Sequence, residues 1–273
     1  MALAQNMPEG TALRALTYNI HHGEGDDGVL DLNRIAQVID SSGADIVALQ
    51  EVDRSYGPRS DWADQGGELA IRLGMELAYG PAIDLAPHKG SMQRRQYGVA
   101  ILSRLPITRS DTVMLPTGPL SEPRAVLRVE LDTEGQPLTV LNTHLQWPEA
   151  DERVAQAAVL VDIIRECAGP IVLLGDLNAS PDSEEVTSIL EELVDTWTGP
   201  GLGYTEPSSA PYNRIDYILV RPGTSVHQAA VLTEYVVESD HFPYVAELSL
   251  APVRTVSVHQ DVPVRQHKEC TPT

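Results

Sequence analysis

Hydrophobic residues along this chain recur in two alternating periods. Residues 13–20 read as a strand, and residues 31–42 then place Leu32, Ile35, Ala36 and Ile39 at the three-and-four spacing of a helix face. Asp31 stands where an N-cap accepts free backbone N–H groups, and Gly43 stands where a helix stops. The same reading predicts a short buried strand at 46–49, a helix at 67–73, and strands at 97–102 and 107–114 paired around Arg104-Leu105-Pro106. Strands at 124–131 and 138–142 form a second expected pair, turned by residues 132–137. The stretch 154–167 is the clearest helix, and it feeds the apolar run 171–176. Beyond a polar loop at 198–213, strands are expected at 215–220, 225–232 and 244–250.

Strands outnumber helices in this pattern, and hairpin-like pairs are mixed with crossovers. That combination predicts two packed sheets flanked by helices rather than one parallel doubly wound sheet. No linker or internal repeat divides the core, so residues 13–252 read as a single domain between a 1–12 extension and a polar 253–273 tail expected to be mobile.

Composition narrows the classes of function. A chain of 273 residues with 42% hydrophobic content builds a sizeable core and is not a disordered protein. Its 19 Lys and Arg against 39 Asp and Glu give a net charge of −20, so long-range attraction to a polyanion such as duplex DNA is absent from the net field unless a local basic patch reverses it. Two cysteines, Cys167 and Cys270, make neither a disulfide framework nor a zinc pattern. No apolar stretch approaches the ~20 residues that span a bilayer, so the chain reads as soluble. Ala2-Leu3-Ala4-Gln5 resembles the remnant beside a signal cleavage site, which leaves cytoplasmic and secreted locations both open. Nothing in the pattern sets an oligomeric state.

The chemistry-bearing residues fall where strands end, which is where open α/β sheets gather ligands. Asp176 and Asn178 leave the run Ile171-Val172-Leu173-Leu174-Gly175 two positions apart and hence on one side, although alone they are ordinary turn residues. Asn19 and His21-His22 follow the first strand, Gln50-Glu51 the second, and Asn142-Thr143-His144 the strand from Leu138. Arg214 and Asp216 bracket Ile215, and Ser239-Asp240-His241 precedes the last strand. Glu51, Asp176, Asn178 and Asp240 offer hard oxygen ligands suited to Mg²⁺ or Mn²⁺. His241 beside Asp216 would form a carboxylate-oriented imidazole able to take a proton from water, while Arg124 and His144 are suited to phosphoryl oxygens. Neither a Gly-x-Ser-x-Gly elbow nor a Walker loop is present to compete.

Seven segments in order carry a resemblance. They are Thr17-Tyr18-Asn19-Ile20, Leu49-Gln50-Glu51-Val52-Asp53, Tyr97-Gly98-Val99-Ala100-Ile101-Leu102-Ser103-Arg104, Asn142-Thr143-His144-Leu145, Gly175-Asp176-Leu177-Asn178, Arg214-Ile215-Asp216-Tyr217 and Ser239-Asp240-His241-Phe242-Pro243. From about residue 13 to 250 the chain resembles the endonuclease/exonuclease/phosphatase superfamily with the deoxyribonuclease-I-like fold, and its His21-His22-Gly23 turn resembles a bacterial branch of metal-dependent hydrolases. The resemblance implies an α+β fold, a four-layered αββα sandwich of two mixed sheets with the site at one rim. It implies that Glu51 is the principal metal ligand, assisted by Asn19 and Asp240, with Mg²⁺ as cofactor and Mn²⁺ as a substitute. Asp176 and Asn178 would position the attacking water and the phosphate, and His241, oriented by Asp216, would act as general base. His144, Arg124 and Tyr97 would contact the phosphoryl group, with Arg124 resting on the short motif Glu122-Pro123-Arg124-Ala125 alone. The choice of Asp176 or His241 as base, and of one metal or two, stays open.

The expected function is therefore Mg²⁺- or Mn²⁺-dependent hydrolysis of a phosphate ester, with a phosphodiester of a small molecule or lipid head group ahead of nucleic acid on charge. A DNA or RNA nuclease and a non-catalytic binding module on the same fold are the alternatives. His88, Lys89, Arg94 and Arg95 form a compact basic cluster, read either as a grip for a second phosphate or as a solvated loop. Trp62 and Trp147 are read as packing residues, with stacking at the rim of the site as the other role.

Overall fold

Sheets whose strands are apolar on both faces must be covered on both sides, and this chain meets that demand with four layers. The computed structural model describes residues 12–133 and 136–250. In chain order it contains β1 (Ala12–Asn19), α1 (Leu32–Ser42), β2 (Ile46–Arg54), α2 (Gln65–Leu73), β3 (Glu76–Leu85), β4 (Arg95–Ser103), β5 (Ile107–Met114) and β6 (Ala125–Thr133). These are followed by β7 (Gln136–His144), α3 (Ala150–Glu166), β8 (Ile171–Asp176), α4 (Glu184–Leu190), β9 (Val194–Asp195), β10 (Asp216–Val220), β11 (Ser225–Val231) and β12 (Tyr244–Ser249). Among the described residues no helix is long and apolar enough to cross a membrane. The expected 1–12 extension (apart from Ala12), the 253–273 tail and Cys270 lie outside the described residues.

One sheet has the order β11-β12-β1-β2-β4-β3 and the other β5-β6-β7-β8-β10-β9. Each holds one parallel pair, β1 with β2 across α1 and β7 with β8 across α3, among antiparallel neighbours. Side chains alternate between layers as strand geometry requires. Ala15, Ile46, Ala48 and Ile101 of the first sheet meet Leu127, Val140, Val172 and Leu174 of the second in the central core. The opposite faces take the helices: Leu16, Tyr18 and Leu49 pack with Ile35, Ile39 and Leu69, and Leu141 and Leu173 pack with Leu160, Ile164 and Ile189. The result is the αββα sandwich. Helix α1 is bounded as expected, with Asp31 accepting from Asn33 N at 2.8 Å and Gly43 in the left-handed region at φ +64°.

One expected pairing is overturned. Strand β4 pairs with β2 and β3, whereas β5 pairs with β6 in the other sheet, so Arg104-Leu105-Pro106 is a crossing between sheets and not a hairpin turn. Its backbone is satisfied outside any ladder: Arg104 N donates to Asp45 O at 2.9 Å and Pro106 O accepts from Asp132 N at 3.0 Å. The edge position beside β4 is filled by β3, which the apolar pattern did not reveal because Gly80-Pro81 and a bulge between Pro81 and Ile83 interrupt it. Helix α4 and the short β9 were likewise not expected, α3 begins at Ala150 rather than at 154, and β2 runs on to Arg54.

A polar tie crosses the dry space between the sheets. Asn142 of β7 is fully buried and donates through Nδ2 to Leu49 O at 2.9 Å and Ala100 O at 2.8 Å, while its Oδ1 accepts from Gln50 Nε2 at 2.8 Å. Gln50, equally buried, also donates to Thr17 Oγ1 at 3.1 Å. Replacing Asn142 by Leu keeps the volume and removes all three bonds. Orphaned buried groups cost ~1–3 kcal/mol each, so urea unfolding of Asn142→Leu should show a loss of about 3 kcal/mol or more. A loss below ~1 kcal/mol, the range of ordinary substitutions, would show that the tie does not hold the sheets together.

Candidate active site

Strand register assembles the first part of the site. Across β7 and β8, His144 lies opposite Asp176, and across β8 and β10, Asp216 lies opposite the same Asp176. Three neighbouring strands thus end in one polar row. Gly175 permits this, since a Cβ there would meet Thr143 O at 2.2 Å. In the other sheet, β2 pairs with β4 up to Leu49 and again from Val52, so Gln50 and Glu51 sit in a bulge where Glu51 takes φ +57°. A bulge re-aims a side chain, and it turns an acid inside a longer strand toward the rim.

The two rows meet through Asn19 at the end of β1. Its Nδ2 donates to Glu51 Oε1 at 3.2 Å and to Asp176 Oδ2 at 3.1 Å, while its Oδ1 accepts from His21 N at 3.1 Å. Asp176 Oδ1 accepts from Asn178 N at 2.9 Å, a local turn that holds Asn178 at φ +49° with its Nδ2 on Leu145 O. His241 Nδ1 hydrogen-bonds Asp216 Oδ2 at 2.9 Å and its Nε2 lies 3.8 Å from Asp176 Oδ2. On the other side Arg124 Nη1 donates to His144 Nδ1 at 3.1 Å, which puts the ring proton on Nε2, 3.5 Å from Asp176 Oδ2.

All of the expected residues except Asn19 and Asp216 line one cavity of about 620 Å³, and those two stand directly behind it. Asp240 and Glu51 are half-buried in its wall, and Tyr97 lies beside Arg124. Arg59 also lines it, paired with Asp53 at 2.7 and 2.9 Å and seated over the Tyr56 and Tyr97 rings. No signal in the sequence marks Arg59. Its loop, Gly57-Pro58-Arg59-Ser60, is bare of chemistry-bearing neighbours until the fold brings it to the rim. The cluster His88, Lys89, Arg94 and Arg95 does not reach this cavity: Arg94 pairs with Asp84, Arg95 lies over Tyr56 and Trp62, and His88 stacks on Trp62. Trp62 is thus a packing residue, whereas Trp147 is 71% exposed at the cavity's edge.

Burial and charge set the protonation states. Burial, then the neighbouring Asp216, raise the Asp176 carboxyl to about 7, against the opposing pull of His241 and the donated N–H groups. Burial opposes charge on His241, yet Asp216 and then Asp176 and Asp240 hold it well above the ordinary histidine range. His144 goes the other way, driven well below that range by burial, Arg124 and His241. Tyr97 keeps its proton because burial, Glu51 and Glu122 raise its pKa.

The donor set suits a hard divalent cation. Arg59 is committed to Asp53 and Arg124 to Glu122, so neither arginine of the cavity neutralises Glu51 or Asp240. The Glu51 and Asp240 carboxylates in the cavity, with the Asn19 amide behind it, are hard oxygen donors and not the ligands of a thiolate-seeking metal.

Comparison with known proteins shows the family and the fold. Residues 16–241 match the family model described as the Endonuclease/Exonuclease/phosphatase family. A solved endonuclease/exonuclease/phosphatase from Beutenbergia cavernae is 28% identical, superposes with a TM-score of 0.72, and is matched over 88% of this chain and 72% of that one. Protein cwh43 of Schizosaccharomyces pombe is 27% identical over 186 residues, 68% of this chain and 18% of that protein. The inositol phosphosphingolipids phospholipase C of Saccharomyces cerevisiae is 25% identical over 177 residues, 56% of this chain and 34% of that protein. The chain spans at most about a third of the length of these two curated relatives.

The opposed histidine shifts are measurable. In ¹⁵N-edited histidine spectra of the metal-free protein, His241 should stay charged above pH ~6.5 and His144 neutral below it, and Asp216→Asn should return His241 toward the ordinary range. The linked stability follows in sign. His241, raised on folding, stabilises fully at low pH and loses that contribution as pH rises through its folded pKa; His144, lowered, loses its contribution as pH falls. An ordinary titration of His241 in the unaltered chain would contradict this arrangement.

Proposed function

The chain belongs to the endonuclease/exonuclease/phosphatase family, and from that premise we propose that it is a phosphoester hydrolase, a Mg²⁺- or Mn²⁺-dependent phosphodiesterase acting on a small-molecule or lipid head-group diester. The observation that carries the substrate preference is an apolar margin around a polar site. The cavity holding Glu51 and Asp176 adjoins a second of about 410 Å³, shared at Trp147 and Asn178 and lined by Leu202, Tyr204 and Tyr212. Leu120 and Trp147 stand exposed at the same edge, so a diester carrying an apolar group finds a surface beside its phosphate. Polyanion binding is disfavoured by the opposite feature: Arg59, Arg124 and Arg214, the arginines lining these cavities, each pair with a carboxylate, namely Asp53, Glu122 and Asp195. The curated relative named for phospholipase C action on inositol phosphosphingolipids supports the same choice.

In this proposal Glu51, with Asp240 and Asn19, holds the cation, which when bound polarises a phosphoryl oxygen and neutralises its charge. The protein's own groups do the rest. Asn178, fixed by its bonds to Asp176 and Leu145, presents its amide to the phosphate and the attacking water. Asp176 accepts the water's proton, and His241, 3.8 Å away and held charged by Asp216, titrates with it as one unit. Arg124 is 6% exposed and has a buried Nε with no partner, a donor suited to a phosphoryl oxygen as charge develops. The Nε2 proton of His144 and the retained Tyr97 hydroxyl proton add neutral donors.

The test is turnover on a panel with Mg²⁺: bis(p-nitrophenyl) phosphate, inositol phosphosphingolipid vesicles, and plasmid DNA. Hydrolysis of the first two is expected, with Asp176→Asn and His241→Ala each lowering kcat about 10²–10⁴-fold, the range of acid–base catalysis. Cleavage of plasmid far faster than either small diester or lipid would overturn the substrate assignment.

A further inference from the structure

The turn after β1 supplies no side chain to the chemistry above, yet its backbone is closely tied. His21 N donates to Asn19 Oδ1, Gly23 N donates to Ile20 O at 2.7 Å, and Gln65 Nε2 donates to His22 O at 2.5 Å. His21 and His22 both adopt left-handed backbone, φ +43° and +45°, which non-glycine residues take only at a steric cost. That cost sets the two imidazoles edge to face with centroids 4.5 Å apart, beside the Glu51 carboxylate.

One ligand atom from each of His21, His22 and Glu51 lies within 4.8 Å of the other two. His22 is 8% exposed, and its buried Nδ1 has no hydrogen-bond partner. Glu24 attends to both rings: His21 Nδ1 hydrogen-bonds Glu24 O at 3.2 Å, and His22 Nε2 lies 3.7 Å from Glu24 Oε2. The His21 ring is therefore oriented through Nδ1 by the Glu24 backbone, the arrangement that outer groups impose on metal-binding histidines, while His22 keeps its buried Nδ1 unpartnered. Arg59, the nearby cation, is already neutralised by Asp53.

We propose that His21, His22 and Glu51 form a second metal site, which takes a zinc-class ion and shares Glu51 with the Mg²⁺-class site. Two imidazoles and one carboxylate suit Zn²⁺ or Co²⁺ and leave a coordination position open, whereas Mg²⁺ prefers oxygen alone. The inference rests on the reading of Glu51 as a metal ligand of the phosphoesterase centre.

The test is metal retention. The full chain, stripped with chelator, is loaded with Zn²⁺ or Co²⁺ and passed through gel filtration in millimolar Mg²⁺. One equivalent should remain, the Co²⁺ form should show the visible bands of four- or five-coordinate nitrogen ligation, and Zn X-ray absorption should show imidazole scattering. His21→Gln combined with His22→Gln should weaken retention more than ~100-fold. No retention in Mg²⁺, retention unchanged in the double variant, or an oxygen-only spectrum would overturn the site. Hydrolysis is not read in these measurements. A chain that retains zinc here but turns over no diester overturns the proposed function alone, and Mg²⁺-dependent turnover without a retained ion overturns the second site alone.

Discussion

The amide tie between Gln50 and Asn142 is the constraint on which the rest of this molecule depends. Two apolar sheet faces pressed together can slide, because hydrophobic contact is non-directional. Buried amides cannot, since in a dry interior each must find its partners at hydrogen-bond geometry. Asn142 satisfies two carbonyls of the opposite sheet and the Gln50 amide at once. Gln50 is the residue before Glu51, and Asn142 stands two before His144. The bolt that fixes the sheets' relative height thus lies directly beneath the rim where the polar groups meet, and the contacts of Asn19 with Asp176 and of His241 with Asp216 inherit their distances from it.

Above that bolt the fold holds an arrangement that opposes its own stability. Asp176 and Asp216 are buried side by side, and His241 alone stands between their charges. Burying a charge is unfavourable unless it is paired and hydrogen-bonded, and here two acids share one ring. The consequence is a carboxyl raised to about 7, placed to exchange a proton near neutrality, beside an imidazole held charged. Core packing on both sides of each sheet offsets the cost, which is why such a cluster sits at a sheet rim anchored by four layers and not on a loop.

Much of this was legible in the sequence, for a physical reason. Strand ends are where side chains converge, so acids, amides and histidines placed after apolar runs pointed to one rim, and Asp176, Asp216, His144 and His241 do lie together. What escaped depends on backbone irregularity or long-range placement. Glu51 was expected to close a strand but sits in a bulge within one, where a left-handed residue turns it outward. Gly80-Pro81 breaks the apolar alternation of β3 and so hides the edge strand that pairs with β4, while β5 pairs in the other sheet. Arg59 has no local motif at all, and the basic cluster from His88 to Arg95 looked convergent only because charge in sequence does not record which partners, here Asp84, Tyr56 and Trp62, take it up.

The central claim is that groups carried by the two sheets act as a single proton-handling unit. Asp176 belongs to β8, while His241 leads into β12 of the other sheet. The most direct measurement is the double-mutant cycle in kcat for diester hydrolysis, comparing Asp176→Asn, His241→Ala and the combined variant. Groups that work as a unit are strongly non-additive, so the combined variant should be no slower than the worse single variant within about threefold. Losses that multiply would contradict the account, because they would show two independent contributions rather than one unit assembled across the sheets.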